Sequence, residues 1–227
     1  MKLLKNEWLQ LLILAVPFCA AALLWDKLPD RFPVHWNARG EVNGYAGKSF
    51  GIIMPAVLNL GLALLLAALP RLDPKMNRHD AETKISVGRI FKLMRLVLTG
   101  FLSAVILAIC ANALQHHFDM NRFILGAVGL LFLVLGNFMG KLRPNYIMGI
   151  RTPWTLESRT VWLKTHRLAG FLMVAGGVIL LVMAFLMPGQ SGILFGVLPV
   201  SLLVALIPSA YSYFIYRDEI KNTNSAP

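Results

Sequence analysis

Residues 149–170 read GIRTPWTLESRTVWLKTHRLAG, a polar, basic and tryptophan-bearing stretch inside a chain that is otherwise mostly apolar. Arg151, Glu157, Arg159, Lys164, His166 and Arg167 are interleaved with Trp154 and Trp162, and Gly149 and Gly170 bracket them. Thr152 followed by Pro153 has the form of a helix N-cap with proline at the first helical position. The spacing predicts one helix running through WTLESRTVWLKTHRL. At 100° per residue, Trp154, Ser158, Val161, Trp162, Thr165 and Leu168 fall on one face, with Leu156 and Leu163 opposite. The stretch therefore reads as an ordered, two-sided element at a membrane boundary. A plain juxtamembrane elbow with snorkelling basic residues is the simpler alternative.

On either side of this stretch the chain is made of long apolar runs. It has 227 residues, of which 57% are hydrophobic and 15% charged, against roughly 45–50% and 25% in soluble domains. Residues 8–25, 51–69, 95–114, 123–140, 168–187 and 193–215 each approach the ~20 apolar residues that a helix needs to cross a bilayer. The fold class expected is an all-α integral membrane protein with six transmembrane helices. Lys2 and Lys5 ahead of the first run also fit a signal peptide, but the run continues to Trp25 without a small-residue cleavage site.

The basic residues set an orientation. Under this assignment 17 of the 22 Lys and Arg fall on the N-tail, loops two and four, and the C-tail, so both termini are expected in the cytoplasm. A net charge of +11 then needs only anionic lipid as its partner, and no nucleic acid. Cys19 and Cys110 lie inside expected spans as packing residues. The chain divides by this reading into 1–70, 71–122 and 123–227.

Loop one, LPDRFPVHWNARGEVNGYAGKSF, is expected outside. Phe32, Val34 and Trp36 alternate as in a half-buried strand, Asn37–Gly40 supplies a turn, and Asn43-Gly44 is a second turn signal. Either a hairpin-like cap or a belt of interfacial aromatics fits. In loop two, Leu72-Asp73-Pro74 reads as a turn. Beyond it, Ile85, Gly88, Phe91 and Lys92 suggest either an interfacial amphipathic helix or ordinary basic anchoring. No acidic or basic residue lies near a span centre, which disfavours proton coupling and voltage sensing. Asn59 and Asn137 fit interhelical hydrogen bonds or a lined site. Gly126, Gly129, Gly136, Gly140, Gly170, Gly176 and Gly177 imply close helix packing. His35 with Glu41, and His116-His117 beside Asp119, are weak metal signals, and neither a metal nor another cofactor is expected. No GxSxG, HExxH or P-loop is present, and no catalytic residue is assigned.

Two stretches carry a resemblance. GNFMGKLRPNYIMGIRTPWTLESRTVWLKTHRLAG resembles the signature of the SdpI family of bacterial membrane proteins through Gly136, Asn137, Lys141, Asn145, Gly149 to Thr155, Trp162 and Thr165 to Arg167. LPDRFPVHWNARGEVNGYAGK resembles the DUF1648 segment that often precedes it, through Pro33, His35, Trp36, Asn37, Gly40 and Lys48. The resemblance implies a multi-pass protein of the bacterial plasma membrane, not an enzyme. It also implies immunity to a secreted peptide toxin, with a small winged-helix repressor held at the membrane. External recognition would then fall to His35, Trp36, Asn37, Gly40, Tyr45 and Lys48. Cytoplasmic docking would fall to Asn137, Lys141, Asn145, Gly149, Arg151, Thr152, Pro153, Trp154, Thr155, Trp162, Thr165, His166 and Arg167. Two other readings remain: a small-solute transporter or channel, and a lipid-directed membrane enzyme using Glu157, His166 and Arg151.

Overall fold

A computed structural model describes residues 7–37, 39–77, 81–114, 119–186 and 192–224. Lys2, Lys5, His116 and His117 lie outside the described residues. The chain runs α1 (Trp8–Leu24), β1 (Arg31–Trp36), β2 (Val42–Gly47), α2 (Lys48–Leu72), α3 (Pro74–Asn77), α4 (Ala81–Ala113), α5 (Met120–Met139), α6 (Pro153–Glu157), α7 (Arg159–Leu186) and α8 (Leu198–Asn224). Among the described residues, five helices are long and apolar enough to cross a membrane, and α1 is an apolar helix of 17 residues. Leu64, Phe171, Phe185 and Leu206 are more than 60% exposed, as side chains facing lipid rather than water would be. The chain is a multi-pass, all-α membrane protein with one small hairpin.

The helices are joined by small residues and buried amides. In α5 and α7, Gly129 faces Gly177 and Gly136 faces Gly170 across an antiparallel seam. A Cβ at any of the four would come within 2.7–3.0 Å of the partner glycine's carbonyl oxygen, so only glycine permits this approach. In the other half, α1, α2 and α4 share a polar cluster. Asn59 Nδ2 donates to Ser103 Oγ (3.0 Å) and to the Thr99 carbonyl (3.1 Å). Gln10 Nε2 donates to Thr99 Oγ1 at 2.8 Å, and Ser103 Oγ donates to the Ile13 carbonyl at 3.0 Å. Asn137, by contrast, is exposed and donates to the Leu133 carbonyl of its own helix.

Four local expectations need correction. The second half of loop two is no separate interfacial helix: it is continuous with α4, a single 33-residue helix. Its apolar residues Val87, Ile90, Phe91 and Met94 are buried against residues 142–163 rather than on lipid headgroups. The helix expected from Trp154 through Leu168 breaks at Ser158, whose backbone is extended at φ −107° and ψ 126°. Ser158 Oγ then accepts from Val161 N at 3.2 Å and so caps α7. In β1, Phe32 is fully buried but Val34 is 39% exposed. Pro33 pairs with Tyr45 and His35 with Gly44, so Val34 is the extra residue of a bulge and the alternation fails there. A second irregularity, between His35 and Trp36, leaves Asn43 over. Asn43-Gly44 is thus inside β2 and is not a turn.

A π-helical turn at Ile193–Val197 leads into α8, with Leu198 N–H bonded to the Ile193 carbonyl. Pro199 follows and has no N–H to give, so widening the turn ahead of it costs little.

Candidate functional site

The signature loop, residues 140–152, lies between α5 and α6 and is almost without regular structure, yet its backbone groups are bonded in detail. Asn145 is fully buried. Its Oδ1 accepts from Ile147 N (2.8 Å) and Met148 N (2.7 Å), and its Nδ2 donates to the Arg143 carbonyl (2.9 Å). One amide therefore substitutes for the turn the chain cannot form by itself. Arg151 Nη1 donates to the Tyr146 carbonyl at 2.6 Å and closes the loop from its far end.

Gly149 and His166 form the tightest fit. Gly149 has φ +105°, a region that side-chain-bearing residues rarely adopt. A Cβ there would stand 3.0 Å from His166 Cδ2 and closer still to Nε2. The imidazole has both nitrogens occupied: Nε2 accepts from Ile150 N at 3.0 Å, which leaves Nδ1 as the protonated donor to the Trp162 carbonyl at 2.8 Å. That pattern fixes a neutral tautomer. Trp162 stacks on the ring at 4.0 Å between centroids, and its Nε1 donates to the Leu142 carbonyl at 2.8 Å.

The Thr-Pro helix start is built as expected. Thr152 Oγ1 accepts from Thr155 N at 3.2 Å and Thr155 Oγ1 accepts from Thr152 N at 3.0 Å, a reciprocal capping box. Thr152 also contacts Ser212 Oγ at 3.0 Å, Ser158 Oγ donates to Glu219 at 2.6 Å, and Trp154 meets Tyr213 edge-on. The short helix α6 is thereby fastened to α8.

Some of the residues that hold this loop were not apparent from the sequence. Asp73 is 1% exposed. Its Oδ1 accepts from Lys75 N and its Oδ2 from Tyr146 N, both at 2.8 Å. Lys75 Nζ donates to the Leu156 carbonyl at 2.8 Å and sits over the Tyr146 ring. The Asp-Pro pair signalled a turn. That the second carboxylate oxygen reaches a loop more than seventy residues away is a tertiary fact with no local signal.

The docking residues named from the sequence divide by burial. Asn145, Thr155, Trp162, Thr165 and His166 are buried and positional. Thr152 and Trp154 are half-buried, whereas Asn137, Lys141, Gly149, Arg151, Pro153 and Arg167 are exposed. For the enzyme alternative, His166 is buried with both nitrogens engaged while Glu157 is exposed. The three named residues do not form an acid–base pair.

At the hairpin, Asn37 is the organiser. Its Oδ1 accepts from Arg39 N (2.9 Å) and Glu41 N (3.0 Å), and its Nδ2 donates to Glu41 Oε2 (2.8 Å). Gly40 follows at φ +80°. His35 Nδ1 bonds Asn43 Oδ1, so His35 and Glu41 each have an amide partner instead of each other. Among the described residues no group of three or more His, Cys, Asp or Glu could hold a metal. His35 and Tyr45 are exposed, and Trp36, Asn37, Gly40 and Lys48 are half-buried. Phe32 anchors the hairpin against Leu28, Ile52 and Cys110, and Gly51 of α2 leaves room for its ring.

Comparison with known proteins agrees with both stretches. The SdpI/YfhL protein family matches residues 141–212, and the domain of unknown function DUF1648 matches residues 12–60. The chain is 25% identical to "Immunity protein SdpI" of Bacillus subtilis (strain 168) over 214 residues, 94% of this chain and 97% of that protein. No solved structure matches. The chain is thus a multi-pass cell membrane protein in which one region matches DUF1648 and a later one matches the SdpI/YfhL protein family.

Proposed function

We propose that this chain is a membrane immunity protein that protects its cell from a secreted peptide toxin. In this reading it meets the toxin with the hairpin and signals through the signature loop to a small winged-helix repressor. The observation that carries the reading is similarity to an immunity protein over nearly the whole of both chains. The hairpin is exported and both termini are cytoplasmic, as the distribution of basic residues favours. His35, Trp36, Asn37, Gly40, Tyr45 and Lys48 form the outer face. Arg151, Pro153, Trp154 and Arg167 form the inner docking face, with Asn137, Lys141, Gly149 and Thr152 at its margin. The buried Asn145, Thr155, Trp162, Thr165 and His166 hold that face in shape.

Helix α2 supports a link between the two faces. The hairpin packs at its start through Phe32 and Ile52, and Asp73 follows its last residue and bonds the signature loop. Its 25 residues span about 37 Å at 1.5 Å per residue, enough to cross a ~30 Å hydrocarbon core. A push on the hairpin therefore has a direct path to Tyr146.

Toxin challenge tests the reading. Sensitive cells producing the chain should survive culture supernatant containing the cognate killing peptide. Trp36→Ala should lower survival at unchanged membrane abundance. Equal killing of producing and non-producing cells would overturn the immunity reading.

A further inference from the structure

Three cations of α4, Arg89, Lys92 and Arg95, are divided between two surroundings. On one side Lys92 and Arg95 share the carboxylate of Glu7. On the other, Arg89 opens onto a recess of about 420 Å³ whose other walls are Ile90, Phe138, Gly140, Lys141 and Arg143. No carboxylate contributes to this wall. Arg89, Lys141 and Arg143 are exposed and form no ion pair among the described residues. Three like charges thus converge with no carboxylate among the described residues paired to them, an arrangement that repels itself and favours an anion.

The position of the recess narrows the choice of anion. Ile90 and Phe138 belong to α4 and α5, which are apolar beyond this point. Lys141 Nζ stands 4.9 Å above the Phe138 ring, so its ammonium leans over the end of an apolar helix. The Phe138 carbonyl takes Gly140 N–H and Lys141 N–H, which partly satisfies the negative end of α5. The occupant that matches is anionic where it meets the three cations and hydrocarbon where it meets Phe138, with the buried Ile90 only closing the floor of the recess. Basic pockets between membrane helices bind phospholipid headgroups for this reason.

We propose that Arg89, Lys141 and Arg143 form a binding site for the phosphate of an anionic phospholipid, with its acyl chains lying along Phe138. The site shares Lys141 with the margin of the docking face, but it requires neither toxin nor repressor and rests only on the chain being a membrane protein.

Native mass spectrometry of the full chain in detergent, with equal phosphatidylglycerol and phosphatidylcholine, tests it. The wild type should retain phosphatidylglycerol preferentially. Loss of each cation should weaken retention about fivefold, so the triple variant Arg89→Gln, Lys141→Gln, Arg143→Gln should lose roughly a hundredfold. The charge-matched variant Arg159→Gln, Arg217→Gln, Lys221→Gln should retain lipid as the wild type does. Where the triple variant fails to fold, Lys141→Glu alone decides, because its side chain is exposed and its reversal should still weaken retention. Unchanged retention in the triple variant, or in Lys141→Glu where the triple does not fold, equal loss in the charge-matched control, or no preference over phosphatidylcholine would overturn the proposal. So would full displacement of the lipid by millimolar inorganic phosphate, which would make it a free-anion site, or by polyglutamate, which would make it an acidic-peptide surface.

Discussion

Gly149→Ala is the most informative single change in the signature loop. The backbone there is held at φ +105°, which costs a non-glycine residue about 1–3 kcal/mol. The added Cβ would also overlap His166, whose ring cannot yield easily. It is stacked on Trp162 and bonded at both nitrogens. Moving it breaks the Ile150 N–H bond and leaves a part-buried donor unpaired, about 1–3 kcal/mol more. The expected destabilisation is therefore about 2–6 kcal/mol, the sum of those two ranges. Thermal unfolding of the detergent-purified protein measures it, with limited proteolysis reporting whether cleavage starts within 140–152. The double change Gly149→Ala, His166→Ala removes the overlap and keeps the backbone strain. It should cost at least about 1 kcal/mol less than the two single changes added together. If Gly149→Ala unfolds like the wild type, or if the two changes simply add, the reasoning about this contact is refuted.

Other changes test other parts of the molecule. Asp73→Ala should free Tyr146 N–H and Lys75 N–H, both part-buried, at a cost of about 1 kcal/mol each, read as faster proteolysis at the signature loop. Gly136→Val and Gly170→Val should each prise α5 from α7 and sharply lower membrane abundance. Gly126→Ala is the control, since its Cβ would meet Ala184 at an ordinary 3.9 Å. Asn37→Ala removes three side-chain bonds at the hairpin tip and should reduce toxin protection while abundance stays near wild type. Arg151→Lys and Trp154→Ala should abolish co-sedimentation of a repressor with membranes while immunity persists; joint loss of immunity and abundance would make them merely structural.

The sequence made the membrane character plain because lipid selects for composition over some twenty consecutive residues, and such a signal survives any error in periodicity. Thr152-Pro153 was equally legible, since a cap uses atoms within three residues. The errors came where distant packing decided. Of the α4 residues that suggested an interfacial face, Ile85 and Gly88 stay exposed, but Phe91 is covered by Ile147 and Met148. Ser158 suits a helix interior by spacing, but its hydroxyl caps α7 and reaches Glu219, and the helix breaks to allow both. The motif residues Gly149 and His166 were singled out one by one. That they belong together, with the His166 ring filling the space a Cβ at position 149 would need, follows only from seventeen residues of chain folding back on themselves.

Orientation is the claim on which outward recognition and inward docking both depend. The direct test is labelling of intact cells with a membrane-impermeant maleimide, in a Cys19→Ala, Cys110→Ala background carrying either Glu41→Cys or Arg151→Cys. The account predicts that Glu41→Cys is labelled in intact cells and Arg151→Cys only after permeabilisation. Labelling of both in intact cells, or the reverse order, would contradict it.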